Sequence, residues 1–299
     1  MDQVVRPDKS VTRKFVVDFA PQYAEILRDF QRLDKNLRLP HQFLAIRENL
    51  KIHNYVELYN NEEHLNGFLF LALLGEEQFK TFNAELAALP RAEQIAWLNQ
   101  IVRDAAELDV ADFFPPDSEE ARKQIQEQFE QLPEEERNSI FRRGQFFWSF
   151  SFAHFFNLLS LMVHGAKLTS LVPQAVAGDK DSFCKAIQID RSLTTYHPYF
   201  RQRRLEAQER GEIDFLNEIN YRERNPTLRG KIRHPGVYMV FACLEASQWL
   251  DDFPHAEILD ICDEAGLDRY ENRIEDVNYL TKRLKDYRRF QKTGAMSMP

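Results

Sequence analysis

Glycine is scarce in this chain, with ten in 299 residues beside 13 prolines. So few turn formers, and so little alternation of Val, Ile and Thr, argue against a sheet-rich fold. Long stretches of Glu, Gln, Leu, Arg and Ala point instead to an all-α protein. Cysteine is scarcer still. Cys184, Cys243 and Cys262 lie far apart with no CxxC spacing. Neither a disulfide framework nor a zinc site is expected, and a reducing, cytoplasmic setting is. The opening MDQVVRPDKS lacks the apolar core of a signal peptide, and nothing marks a lipid anchor. No Gly-rich phosphate loop and no HExxH is present, so no catalytic or cofactor motif emerges.

What is abundant is unevenly placed. The formal charge is −8, with residues 1–150 holding 18 Lys and Arg against 26 Asp and Glu, and residues 151–299 holding 21 of each. An acidic first half disfavours a nucleic-acid surface there and leaves a locally basic face open in the second half.

The chain is organised around GQFFWSFSFAHFFNLLSLMVHG, Gly144 to Gly165, which contains no Asp, Glu, Lys or Arg. Apolar residues cover nearly the whole circumference of a helix drawn through it, so that helix is expected to be buried on most sides. Upstream, Leu132-Pro133-Glu134-Glu135-Glu136 places proline at a first-turn position and three carboxylates at the positive end of the helix dipole. Downstream, His164-Gly165 reads as a glycine C-cap. A continuous helix would be roughly 45–50 Å long, so a break at Gly144 is expected. Ser149, Ala153, Asn157, Ser160 and His164 form a narrow small-and-polar stripe at helical spacing. The stripe fits close helix packing with hydrogen-bonded polar groups, or a ligand or proton site. The length also suits a membrane span of roughly 20 residues. His154 and Asn157 in its middle and the charged flanking helices argue against that, and no span is expected.

Two regions are expected, a helical domain over 1–170 and helical hairpins over 171–299. In the first, Ser10 or Thr12 caps a helix through Phe30 that breaks or kinks near Pro21. Leu39-Pro40 starts a helix ending at Asn60-Asn61, and the apolar run Leu65 to Gly75 packs on the central helix. Pro90 opens another, Asp112 to Asp117 forms a rigid turn, and Ser118 begins a charged helix to Gln131. In the second, Gly178-Asp179-Lys180-Asp181-Ser182-Phe183 is echoed 33 residues later by Gly211-Glu212-Ile213-Asp214-Phe215-Leu216, suggesting stacked helical hairpins.

Between and after the echoes the chain turns basic. From Arg191 to Arg233 ten Lys and Arg face six Asp and Glu, with Arg201, Arg203 and Arg204 beside Tyr196 and Tyr199. Arginine beside an exposed aromatic suits phosphate contact and base stacking, while a solvated helix face explains the same pattern. After Ala265-Gly266-Leu267 a last helix carries Ile274, Val277, Leu280, Leu284 and Tyr287 inward. Lys282, Arg283, Lys285, Arg288, Arg289 and Lys292 point outward. The pair of helices has the outline of a helix-turn-helix with too long a connection. His53, Glu57, Glu62, Glu63 and His64 match no metal-ligand spacing, and lone cysteines on apolar helices read as core. The expectation is a binding or assembly component, not an enzyme. It takes no cofactor and no metal, and meets a protein partner or nucleic acid through these basic surfaces. The other reading is an enzyme or ligand-binding protein using the stripe Ser149, Asn157, Ser160 and His164.

Overall fold

A computed structural model describes residues 8–32, 50–62, 65–66, 79–81, 84–85, 88–90, 93–94, 118–224, 234–267 and 273–293. Among these residues the fold is all-α, without strands, around a central buried aromatic-rich helix. The elements are α1 (Lys9–Arg32), a 3-10 helix (His53–Asn60), α2 (Glu119–Gln131), α3 (Glu134–His164), α4 (Leu168–Val176) and α5 (Lys180–Ile189). They continue with α6 (Leu193–Tyr196), α7 (Pro198–Glu209), α8 (Ile213–Arg224), α9 (Pro235–Ala246), α10 (His255–Glu264) and α11 (Arg273–Thr293).

The central helix, α3, begins where its carboxylates indicate, with Glu134, Glu135 and Glu136 in the first turn. Pro133 sits at the N-cap, one residue earlier than expected. The helix runs unbroken through Gly144, because packing of its aromatic half outweighs the weak helix propensity of one glycine. It stops at Gly165, whose φ of 63° is left-handed and whose N–H donates to Leu161 O at 2.9 Å. From Phe147 to Val163 nearly every residue is buried. Aromatic rings tie it to its neighbours. Phe19 and Tyr23 of α1 meet Phe150 and Phe155, and Tyr55 of the 3-10 helix stacks on Phe156 with centroids 6.3 Å apart.

Around α3 are packed the 3-10 helix, α4, α5, α9 and α11, while α1 lies mainly on α9. Helix α1 is continuous through Pro21 and begins at Lys9, so Ser10 and Thr12 lie inside it and cap nothing. Two ion pairs, Lys9–Glu257 and Arg13–Glu264, each 2.6 Å, dock α1 on α10. The segment ending at Asn60-Asn61 is a 3-10 helix over its described part, and α2 follows its Ser118 cap, whose hydroxyl accepts from Ala121 N at 3.1 Å. The helix start at 39–40, most of the 65–75 run, most of the helix from Pro90, the 112–117 turn and the cations at 229, 231 and 233 lie outside the described residues.

The two echoed turns are hairpin turns, α4 to α5 at Gly178 and α7 to α8 at Gly211. Helices α5 and α8 pack together, so the hairpins stack. One apolar cluster takes residues from Val16 to Phe290 and runs across residue 170, joining α1 and α3 to α9 and α11.

Candidate functional site

Helix α11 is fixed by its inner face. Leu280, Tyr287 and Phe290 are buried, and Tyr287 Oη donates to Glu245 of α9 at 2.5 Å. Burial, then the Glu245 carboxylate, push the Tyr287 hydroxyl well above its ordinary pKa. Gln291 Nε2 donates to the same Glu245 at 2.6 Å and to Leu161 O, near the end of α3, at 3.1 Å. These anchors set which way the opposite face points.

That face carries Asn278, Lys282, Lys285, Arg289 and Lys292, all exposed and spaced by four, three, four and three residues, one stripe of a helix. No carboxylate occupies these five positions, and Asp286 flanks them. From Lys282 to Lys292 it covers about 15 Å at about 1.5 Å per residue. Lys282 and Lys285 make no ion pair among the described residues, and Arg289 pairs within its own helix with Asp286 at 2.9 Å. Arg283 and Arg288 are drawn off the stripe. Arg283 lies against the Tyr279 ring at 4.6 Å and pairs with Asp286 at 3.4 Å, and Arg288 pairs with Asp251. The stripe is thus narrower and richer in lysine than the six outward cations suggested.

Helix α7 uses its arginines differently. Arg203 Nη2 meets Glu212 at 2.6 Å with its guanidinium 4.6 Å over Phe215, and Lys180 from the other echoed turn reaches the same carboxylate at 3.2 Å. The Arg203 hydrogen bond is the largest influence holding Glu212 below the usual carboxylate range, with the Lys180 bond adding to it. Arg204 donates to Glu223 at 2.8 Å and Asn220 at 3.3 Å, and Glu223 also accepts from Thr194. Arg203 and Arg204 therefore hold the α7–α8 hairpin together. Arg201 points to solvent. Helix α7 packs on α6 and α8, and α11 on α3 and α10. The two cation sets are carried by separate parts of the molecule.

The polar stripe of α3 is engaged in building the α3–α4 corner. Asn157 Oδ1 accepts from Thr169 N at 3.1 Å, and Ser160 Oγ donates to Ala166 O at 2.8 Å. His164 has a buried Nε2 with no partner, and burial, then Lys185 and Arg222, push its pKa down to about 4. His154 lies off the stripe between the rings of Phe150, Phe15 and Tyr23, with centroids 5.1–5.8 Å away. Burial, then Lys167, push it to about 3, so both imidazoles are neutral near pH 7.

A second polar cluster has no warning in the sequence beyond the Asp-x-Ser of a local turn. Asp190 is buried and accepts from Tyr59 Oη at 2.9 Å and Ser192 N at 2.9 Å, while Tyr55 Oη donates to Ser192 at 3.1 Å. His197 Nε2 lies 3.1 Å from Asn60 Oδ1. Burial raises the Asp190 carboxyl and lowers His197. The cluster ties the 3-10 helix to the α5–α6–α7 corner.

Burial pushes the Cys243 thiol up to about 12 and Cys184, with Glu218 adding, to about 11, the reverse of what a nucleophilic cysteine needs. Glu62 is engaged by Lys167 at 2.6 Å, and Glu63 and His64 lie outside the described residues. Comparison with protein-family models, with curated proteins and with solved structures finds no match to this chain.

Proposed function

We propose that this chain is a non-enzymatic binding or assembly component that docks an acidic protein surface on the outward face of α11. The observation that carries the reading is the stripe of exposed Lys282, Lys285, Arg289 and Lys292 in a chain whose formal charge is −8. Such a run concentrates positive potential where the rest of the molecule repels anions. Two features favour protein over nucleic acid. The stripe holds mostly point-charge lysines, not the planar forks that read phosphates and bases in pairs. The overall charge also opposes the approach of a long polyanion.

A helix-turn-helix is disfavoured on geometry. Lys282, Lys285, Arg289 and Lys292 sit in the middle and end of α11, away from the N-terminal turns that read bases in that motif. The engaged hydrogen bonds of Asn157 and Ser160 weigh against a ligand site on the polar stripe. A cytoplasmic location without a membrane span belongs to the same proposal. The three free thiols support it. So does α3, which among the described residues is the one helix long and apolar enough to cross a bilayer and has 89% of its apolar window buried inside the protein.

The test is a pull-down from nuclease-treated and untreated lysate, with the chain and with Lys282→Glu/Lys285→Glu. The expected result is a protein partner retained after nuclease and lost by the variant, with helicity unchanged by circular dichroism. Retention that disappears with nuclease would transfer the stripe to nucleic acid. In that case log K for duplex DNA falls with log salt by about 0.9 per phosphate contact and the variant flattens that slope. Full retention of every partner by the variant removes the stripe from function.

A further inference from the structure

We infer, resting on the reading of α11 as the docking surface, that the partner presents a single acidic helix lying alongside α11, with carboxylates at positions i, i+3, i+7 and i+10. The starting point is where unpaired positive charge remains. Lys9, Arg13, Lys167, Lys185, Arg204 and Arg222 each meet a carboxylate of the chain at 2.6–2.8 Å. Lys282, Lys285 and Lys292 make no ion pair among the described residues, and all three are exposed on one face of one helix. Arg289 completes their row while sharing Asp286 of the same helix at 2.9 Å. The three lysines therefore supply most of the attraction.

The spacing of the row selects the shape of what meets it. Steps of three, four and three residues correspond to rises of about 4.5, 6 and 4.5 Å along α11. A second helix lying alongside repeats the same three-and-four spacing on its facing side, so each cation finds a carboxylate. An extended strand turns every second side chain to one face, about 6.5 Å apart, and over the same length sets three carboxylates out of step with four cations. Asp286 flanks the row, so a second line of partner carboxylates on that side would meet like charge. One narrow acidic row fits where a broad acidic sheet does not. The spacing also reads the same from either end, so the charges match in both directions.

The face offers no apolar anchor. Among the described residues the large apolar side chains that are exposed lie on α2, α3, α4, α7 and α8, and none lies on α11. A contact made of charge without an apolar centre takes its specificity and its association rate from matched potentials, and it weakens steeply as salt rises.

Fluorescence anisotropy at low salt, with three labelled synthetic peptides, tests the shape of the partner. The first is held helical by a side-chain cross-link and carries four glutamates at i, i+3, i+7 and i+10. The second is cross-linked in the same way with its four glutamates spread round the circumference. The third keeps the row spacing but has a central proline and no cross-link. The row peptide is expected to bind about tenfold more tightly than either of the others, the order expected of four exposed charge pairs acting together, and to lose that advantage at high salt. Lys285→Glu is expected to weaken the row peptide. Exchanging glutamate for lysine at one of the two inner positions of the peptide then restores binding, the same exchange at the other does not, and the position that restores it gives the direction of the partner. Unchanged helicity by circular dichroism separates loss of docking from loss of fold. Equal binding of the row and spread peptides, or equal rescue from both inner positions, overturns the helix and leaves the acidic-surface reading standing. Failure of all three peptides, while Lys282→Glu/Lys285→Glu still loses the lysate partner, does the same. Failure of all three together with full retention of lysate partners by that variant removes both.

Discussion

The two halves of α3 share one helix and one set of backbone hydrogen bonds, yet they live in different environments. Phe147 to Val163 is buried on nearly all sides, while Glu134 to Phe141 is almost wholly in water. Backbone regularity is therefore a poor guide to where stability resides. Tertiary burial of the aromatic half holds the helix together past Gly144.

Truncating one apolar side chain in each half is expected to give very different losses. Phe155, 1% exposed, changed to Ala is expected to destabilise by about 3–5 kcal/mol in equilibrium unfolding. A loss below about 1 kcal/mol would mean that the aromatic half is not the core. Next comes the corner where the buried half ends. Asn157→Ala deletes the acceptor of Thr169 N and leaves a buried donor unpaired, at an expected cost of about 1–3 kcal/mol in the same experiment. An isosteric Asn157→Leu that proved neutral would show that the polar stripe can be replaced by plain packing.

Acid should act on the buried half. His154 and His164 have folded pKa values of about 3 and about 4 against an ordinary 6.5, so the unfolded chain binds more protons between these limits. Their contribution is fully present above pH 6.5 and is lost as pH falls toward 4 and then 3. Chemical denaturation at stepped pH is expected to show stability declining over that window, and His154→Phe to shallow the decline. An unchanged slope in the variant would place His154 in solvent. Asp190 runs the other way. Burial raises its carboxyl, so its contribution is present below the ordinary carboxylate range and is lost as pH rises through the folded value. Asp190→Asn is accordingly expected to flatten the upper side of the profile.

The exposed half of α3 is expected to respond least to truncation. Ile140→Ala is expected to change stability by under about 0.5 kcal/mol, as exposed substitutions do. A loss of several times that would mean that the first turns of α3 are covered in solution.

Helices α7 and α11 make the same point with charge. From the residues alone, Arg203 and Arg204 are indistinguishable from Lys282 and Lys285 as candidate contacts. Glu212 and Glu223, nine and 19 residues further along, capture the first pair when the hairpin closes. Among the described residues the lysines of α11 have no such neighbour, because the helix is held by Tyr287 and Gln291 on its other side.

Residue pattern was enough to show that the protein is helical, that the charge-free run around Phe152 is its centre, that α3 begins at its glutamates and ends at Gly165, and that two similar hairpins follow. Each of these depends on local chemistry: propensity, dipole, cap and periodicity. Long-range packing is what lets α3 and α1 run on through Gly144 and Pro21, closes a corner with Asn157, buries Asp190 under Tyr59 and leaves particular cations in water. Those outcomes depend on partners brought in from far along the chain, 12 residues for Asn157 and Thr169 and 131 for Tyr59 and Asp190. Helical periodicity orders residues a few positions apart on one element, and it carries no information about which distant carboxylate or ring will be packed against them.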